Sequence, residues 1–506
     1  MTSDQYASAH NVLITEIGDG DGLSWDDATP GQLHLLSRGG GMLLQATTSG
    51  RQEATFQCQL TAETVFRATD SLFLLKVPAT ASGHQGTYGL RCSGSDTAGA
   101  LAAAVERGLE QRRDTGSEFS QKTDEGSADL YFRYYGLLQH QQNMLQDYVR
   151  TGTYYAAILE NRADFEGKVV GDIGAGSGIL SFFAAQAGAR KVYAVEASAM
   201  ADYCVMLKDA NPALGRRIEV VRGRVEEVAL PERCDVLVSE PMGTLLVNER
   251  MLETFLFARD HLLKPGGRMF PQVGRIHCAV FSDAALFAEV ASKAAFWQQD
   301  NYYGVDLTRL LQPAVDDYFA QVVVDAIDPG CLVSDCNSKL FDFGSATSAD
   351  LENIVIPLRL QAARHCHVHG LACWFDVLFD GTTSQRWLST APGLPTTHWF
   401  QLRCLLGQPL TVAAGGVVTG ELRLAAHKRQ SYDVHLTLTA PPLSAGGAPQ
   451  TARSKLDLKE PYYRQLCAWN FQQSAIPAPQ QAAAWAHANG NANANGAGHA
   501  NGHASS

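Results

Sequence analysis

Glu240 and Glu249 lie nine residues apart, on either side of the stretch Pro241-Met-Gly-Thr-Leu-Leu-Val-Asn248. Two carboxylates turned into one cavity repel each other and are costly to desolvate, so such a pair makes sense only around a cation. Two surface glutamates on an ordinary loop fit the same residues, and the stretch alone serves both readings. The apolar run Val236–Val238 reads as a short buried strand that Pro241 and Gly243 break. A hairpin-like loop and an apolar return follow, and Glu249 opens a helix.

A second chemistry-bearing stretch lies upstream. Lys168-Val-Val-Gly-Asp-Ile-Gly-Ala-Gly-Ser-Gly178 reads as a strand and a glycine-rich turn, followed by a helical run over Ile179–Ala187 and a strand ending at Glu196. Glycines such as Gly174 and Gly176 let backbone approach a ligand closely. Glu196 follows Gly174 by 22 residues, near the ~20 that place an acid on a ribose. The turn is Gly-x-Gly-x-Gly with Asp172 before it, and no Lys-Ser/Thr pair follows. That favours a neutral or zwitterionic nucleoside such as S-adenosylmethionine over a pyrophosphate dinucleotide, hence a methyltransferase ahead of a dehydrogenase.

The elements that must position these residues form a βα series. After Glu196 come a strand at Arg217-Ile-Glu-Val-Val, then Gly223-Arg-Val-Glu-Glu with acids placed for an adenine amine. The strand before Glu240, a helix ending at Leu263-Lys-Pro-Gly-Gly and a fifth strand at Arg268-Met-Phe complete it. The pattern predicts an α/β, doubly wound Rossmann-like domain over 115–270, with ligand outside the carboxyl ends of its strands. Its lead-in, Asp129-Leu-Tyr-Phe-Arg-Tyr-Tyr135, runs into a helical stretch over Gln141–Arg150 with Met144, Leu145 and Tyr148 on its apolar face. Core packing is the default reading of those aromatics.

Residues 1–114 carry short alternating runs that predict a small pleckstrin-homology-like β domain, closed by a helix capped at Ser95–Thr97 with Leu101, Val105 and Leu109 on one face. Residues 271–470 hold a helical, aromatic-rich insertion over about 285–322. Many strands follow, among them Leu351–Leu360, Cys373–Phe379 and Tyr432–Leu438, a β sandwich or barrel. A histidine beside a tryptophan, as in Thr397-His-Trp399, is more often structural than catalytic. Residues 471–506 are rich in Ala, Asn, Gly and His, a composition that cannot build a core.

Composition sets bounds. The chain has 506 residues, 45% of them hydrophobic, enough for two or three domains. No apolar run approaches the ~18 residues of a membrane span, and the N-terminus lacks signal-peptide character. Eleven scattered cysteines without a Cys-x-x-Cys suit reduced thiols, with no metal site expected. A formal net charge of −12 argues against nucleic acid as main partner and favours cationic ones.

Tyr131-Phe-x-x-Tyr135, Val170–Gly178, the Glu240…Glu249 loop and Thr397-His-Trp399, in that order, resemble the signature of the protein arginine N-methyltransferases. Phe182–Arg190, Gly370–Val377 and Lys428-Arg-Gln-Ser-Tyr432 are most similar to its coactivator-associated branch in plant or green-algal form. The resemblance is strong over about 125–465 and loose in the N-terminal domain. It implies a type I enzyme that moves methyl groups from S-adenosylmethionine to protein arginine, leaving S-adenosylhomocysteine and giving monomethyl- and then asymmetric dimethylarginine. By the same resemblance Glu240 and Glu249 grip the guanidinium, and His398 pairs with Asp147. Arg150 holds the cofactor's carboxylate beside Gln141, Glu196 binds its ribose, and Glu226 and Thr254 lie by its adenine. Tyr131 and Tyr135 close over it, while Met144 and Met242 shape the pocket toward asymmetric product. The 285–322 insertion is implied to form a head-to-tail homodimer, histone tails and RNA-processing or transcription proteins to be substrates, and nucleus and cytoplasm the location. Two positions depart from the pattern: Thr244 stands where animal relatives commonly have tyrosine, and Gly171 replaces an apolar strand residue.

The residue types suit the implied chemistry. A guanidinium keeps its proton at any ordinary pH, and delocalisation makes its nitrogens poor nucleophiles. Two carboxylates can hold it bidentately, aim one nitrogen, and localise charge on the others. A sulfonium methyl is already activated, so no metal is required, and His398 with Asp147 is a candidate proton relay. A non-catalytic scaffold and a small-molecule methyltransferase are the rival readings.

Overall fold

The computed structural model describes residues 4–17, 29–38, 41–48, 56–59, 65–67, 72–77 and 86–92, and residues 117–464 apart from Ala445. The helix expected over 95–109 and the C-terminal tail lie outside the described residues. The chain divides into two compact units, Met1–Ser117 and Glu118–Ser506.

The first unit holds one antiparallel sheet. Its strands are β1 (Asp4–Ile17), β2 (Thr29–Arg38), β3 (Gly41–Thr48), β4 (Phe56–Gln59), β5 (Val65–Arg67), β6 (Leu72–Val77) and β7 (Gly86–Cys92), in the order β4-β3-β2-β1-β7-β6-β5. Ile14 on β1 pairs across to Leu90 on β7, and both are buried.

The second unit begins with helices α1 (Glu118–Lys122), α2 (Glu125–Tyr135), α3 (Leu138–Gln146) and α4 (Tyr148–Glu160). The single helical stretch expected over 141–150 is therefore two helices. Asp147 breaks it: its backbone leaves helical geometry, and its side chain caps α4 by accepting from the Arg150 N–H at 2.9 Å.

Five parallel strands follow, β8 (Val169–Ile173), β9 (Lys191–Glu196), β10 (Ile218–Arg222), β11 (Cys234–Ser239) and β12 (Leu263–Phe270), in the order β10-β9-β8-β11-β12. Helices α5 (Ile179–Gln186), α6 (Met200–Ala210) and α7 (Met251–Leu262) lie between them in sequence. Every residue of β8 is buried, as a strand covered on both faces must be. Gly171 has a physical reason: a Cβ there would stand 2.8 Å from Leu237 Cδ2 and 3.0 Å from Cys234 Sγ, both on β11. The strand order reverses between β8 and β11, which pair side by side, and the Ser239 hydroxyl donates to the Ile173 carbonyl at 2.7 Å. The loops after these two strands thus leave the sheet together, at the switch point where open α/β sheets bind ligands.

From Val273 the chain builds a ten-stranded sheet. It contains β13 (Val273–Phe281), β14 (Gln321–Asp325), β15 (Asn337–Asp342), β16 (Asn353–Gln361), β17 (Cys366–Asp380), β18 (Gln385–Ser389), β19 (Gln401–Val412), β20 (Val417–His427), β21 (Ser431–Ala440) and β22 (Gln450–Tyr463). On β16 Ile354, Ile356, Leu358 and Leu360 are buried and the residues between them exposed, the period of a strand with one wet face. The sheet's two end strands, β15 and β16, approach each other. The Arg359 N–H donates to Asn337 Oδ1, and that of Gln361 to Asp335 Oδ1, both at 2.8 Å. Of sandwich and barrel, the structure is a nearly closed barrel. Leu351, expected in a strand, sits in a short helix (Ser348–Glu352) with a Thr347/Asp350 capping box. Helices α8 (Ala284–Ala294) and α9 (Leu311–Phe319) are inserted between β13 and β14, and Leu286, Val290 and Phe319 pack against Phe281 and Val323 at their root.

Candidate active site

The loops after β8 and β11 share a cavity of about 390 Å³ with the lead helices and the segment before β19. On one side is the glycine turn. The N–H groups of Gly174 and Ala175 both donate to the Val195 carbonyl at 3.0 Å. Gly174 and Gly176 adopt φ of 70° and 56°, and a Cβ on Gly176 would stand 2.8 Å from Gln141 Oε1. Gln141 itself is buried and accepts from the Ser177 N–H at 3.3 Å. Glu196, which lines the cavity, accepts from the N–H of Gly176 and of Ser198, each at 2.7 Å, with acceptor capacity left on both oxygens. Further along, Glu226 accepts from the Thr254 hydroxyl at 2.7 Å, and burial pushes its carboxyl above the usual range.

On the other side is the glutamate loop. It does not return as a strand: Gly243 and Leu246 form a lone bridge, and a 3-10 turn follows. Nor does Glu249 open a helix, because it lies at φ 71° and Arg250 at φ 57°, so α7 starts only at Met251. Leu245 and Leu246 are also left-handed, at 57° and 69°, a conformation that costs roughly 1–2 kcal/mol per non-glycine residue. Neighbours compensate. Arg250 binds Glu253 through two nitrogens and donates to the carbonyls of Lys122 and His427. The Ser431 hydroxyl donates to Asn248 at 2.6 Å, the Trp399 indole to the Met242 carbonyl at 2.9 Å, and the Tyr154 hydroxyl to the Ser239 carbonyl at 2.8 Å.

Both carboxylates line the cavity. Burial, with Glu240 adding to it, raises Glu249 to about 7 although the Tyr135 hydroxyl donates to it at 2.7 Å. Burial also raises Glu240, against the pull of Arg150. Arg150, expected at an anion on the ligand, here donates from Nε and Nη2 to one oxygen of Glu240 at 3.2 and 3.1 Å. A guanidinium already seats on that carboxylate.

Asp147 stands behind the cavity wall. One of its oxygens accepts from the backbone N–H of His398 at 2.9 Å and from its Nδ1 at 2.7 Å. Burial pushes this carboxyl up, but His398 and the backbone N–H groups outweigh it and hold it below its ordinary value. Tyr131, Met144, Met242 and His398 line the cavity; Met242 is buried, its sulfur 3.7 Å from the Tyr154 hydroxyl. Tyr463, from β22, lines the same rim as Thr244. Tyr154, Arg250 and Tyr463 have no motif-level signal. Ser431 lies in a run that the sequence marks only by resemblance.

The residues present fit S-adenosylmethionine. An acid with free lone pairs lies beside a left-handed glycine turn, a second acid follows, and Arg150 is a buried cation in reach of a carboxylate.

Residues 272–440 match the family model described as the arginine methyltransferase oligomerization subdomain, and residues 150–249 that of ribosomal protein L11 methyltransferase. The chain is 58% identical over 380 residues to the probable histone-arginine methyltransferase CARM1 of Oryza sativa subsp. japonica, covering 73% of this chain and 72% of the relative. It is 58% identical over 369 residues to the probable histone-arginine methyltransferase 1.4 of Arabidopsis thaliana, covering 72% and 70%. Among solved structures it is similar to Arabidopsis thaliana protein arginine methyltransferase 10 (TM-score 0.59, 32% identity, 65% of this chain and 100% of that one). It is also similar to the Trypanosoma brucei PRMT1 enzyme-prozyme complex with AdoHcy (TM-score 0.56, 31% identity, 64% and 99%).

Proposed function

The chain belongs to the protein arginine methyltransferases, among the histone-arginine methyltransferases, and from that membership we propose how its own residues carry the reaction. It transfers methyl groups from S-adenosylmethionine to protein arginine. S-adenosylmethionine supplies a methyl group already activated by the sulfonium charge. Glu240 and Glu249 clamp the substrate guanidinium, aim one terminal nitrogen, and draw positive charge onto the others, so the attacking nitrogen regains its lone pair. The observation that carries this reading is the pair of partly buried carboxylates at one strained loop, with the guanidinium of Arg150 already seated on Glu240.

Arg150 turns its remaining donors to the cofactor's carboxylate, assisted by Gln141. Glu196 accepts from the ribose hydroxyls, and Glu226 with Thr254 borders the adenine. Tyr131 and Tyr135 cover the site and exclude water. Tyr135 also keeps Glu249 oriented through its hydroxyl. His398, held in one tautomer by Asp147, is positioned to carry a proton away from the reacting nitrogen. Met144 and Met242 shape the pocket so that a second methyl goes onto the same nitrogen, giving asymmetric dimethylarginine.

Histone tails are the proposed substrates, which fits the chain's formal net charge of −12 and implies action in the nucleus, with cytoplasmic presence as a further part of the proposal. A head-to-tail homodimer is proposed through α8 and α9. Between them Tyr303 is 93% exposed and Phe296, Tyr302 and Val305 are partly exposed, an apolar group suited to a partner's surface. Purified protein with labelled S-adenosylmethionine and histone or splicing-factor peptides, read by mass spectrometry, tests the reading. Asymmetric dimethylarginine is expected; symmetric product would overturn the type, and absence of transfer the catalytic reading.

A further inference from the structure

The lead helices form one wall of the cavity, yet α1 has only five residues and cannot hold itself in water. Its C-terminal end is tied by the Lys122 carbonyl, which accepts from Arg250. Its other end carries Phe119, and there a side chain from the βα domain intervenes. Arg224 follows β10 in the Gly223-Arg-Val-Glu-Glu turn. Its guanidinium carbon lies 4.8 Å from the ring centre of Phe119 on α1 and 5.3 Å from that of Phe132 on α2. The two rings are 5.7 Å apart. All three side chains border the cavity beside Glu226.

A planar, delocalised cation stacks on aromatic faces, and the attraction grows as water is excluded. The competing partner of Arg224 is weak: Glu227 lies 3.4 Å away, three residues on, with 46% of its side chain exposed, and such pairs contribute little. We propose that Arg224 is a positioning residue that clasps α1 and α2 over the Glu226 end of the cavity and thereby sets how fast the spent cofactor leaves. The clasp joins two lead helices through one charge, so losing it loosens the Phe119 end of α1 and the Phe132 face of α2 together. The proposal rests on the reading of this cavity as the S-adenosylmethionine site.

Two measurements on the full chain separate the clasp from that reading. Hydrogen exchange over residues 118–135 in ligand-free protein reports the clasp alone; stopped-flow dissociation of S-adenosylhomocysteine reports its consequence. In R224M, exchange over 118–135 rises and dissociation speeds by about five- to tenfold, the size of one partly desolvated cation–π contact. R224K falls between, because an ammonium addresses one ring at a time. Unchanged exchange in R224M overturns the clasp. Weaker ligand binding with unchanged exchange also overturns it, since Arg224 would then touch the ligand directly. Should the wild type bind no S-adenosylhomocysteine, the cofactor reading fails while the exchange data still decide whether the clasp exists.

Discussion

The glycine turn after β8 and the glutamate loop after β11 leave neighbouring strands of one sheet, yet they are held in opposite states. In the turn every left-handed residue is glycine, and Glu196 takes an N–H on each oxygen. In the loop the left-handed residues are two leucines, a glutamate and an arginine. There Glu249 receives, among the described residues, one hydrogen bond, and Glu240 leans on Arg150. On the nucleoside side Glu196 is held by backbone N–H groups before any ligand arrives, while burial leaves Asp172 and Glu226 raised. The arginine side is complete only with a cation in it, and strain and burial are stored there for that purpose.

Neutralising the clamp gives the largest expected break. Glu240→Gln and Glu249→Gln keep size and fold but remove the charge that localises the guanidinium's own. A loss of about 3 kcal/mol of transition-state stabilisation is roughly a hundredfold in kcat/KM. Binding of S-adenosylhomocysteine, measured by calorimetry, stays within about threefold for Glu249→Gln; Glu240→Gln loses more, because Glu240 also holds Arg150, which faces that ligand's carboxylate. Equal loss of ligand binding and turnover would show that the two loops are one unit.

The comparison also sets a stability experiment. Glu249 is raised to about 7 from an ordinary 4.5 by burial and by Glu240, with Tyr135 and Lys459 opposing. A carboxyl whose folded value is raised favours the native state fully below the unfolded value, and that contribution is lost as pH rises through the folded one. Glu249's own contribution is therefore lost between about pH 4.5 and 7, on the order of 1–3 kcal/mol. Glu249→Gln, which carries no charge, loses less and is the more stable protein at pH 8 by thermal melting while nearly inactive. A lower Tm for the variant at pH 8 would mean that the loop is satisfied without substrate.

On the nucleoside side a single exchange should act on affinity alone. Glu196→Gln loses the charge that two backbone N–H groups point at, and an amide nitrogen must face one of them. S-adenosylhomocysteine binding falls about tenfold, one charge-assisted hydrogen bond's worth, while kcat at saturating cofactor changes little. A fall in kcat with affinity intact would place Glu196 in the chemistry.

The glycine side was legible in the sequence because its cues are local: a hydrophobic run, three spaced glycines and an acid at the right remove. The parallel sheet followed from the same periodicity. The glutamate loop was legible only as two acids around turn residues, because what fixes it comes from afar. Trp399 reaches Met242 across 157 residues and Ser431 reaches Asn248 across 183; no window of sequence holds both ends. The break at Asp147 did leave a trace, an aspartate three residues before Arg150 where a second helix can be capped. Apolar spacing through Met144, Leu145 and Tyr148 outweighed it. Gly171 looked like a weak strand residue until Leu237 and Cys234 were seen to fill its place.

An effect of similar size lies where the two loops meet a third wall. Asp147 ties together His398, through one oxygen, and the N–H of Arg150, through the other. Because Asp147 stays a carboxylate, His398 must donate from Nδ1, which leaves Nε2 as the nitrogen free to take a proton on the cavity side. His398→Ala removes that nitrogen but spares the backbone N–H that also holds Asp147, so Arg150 keeps its cap and the clamp its shape. Turnover should fall by about tenfold, below the usual worth of an obligatory general base, since either glutamate can accept the proton. The profile of kcat against pH separates relay from prop: a relay shifts the acid limb in the variant, whereas a prop lowers the whole curve unchanged. An unchanged profile would leave the glutamate loop as both clamp and proton acceptor, and would widen the contrast with the glycine turn.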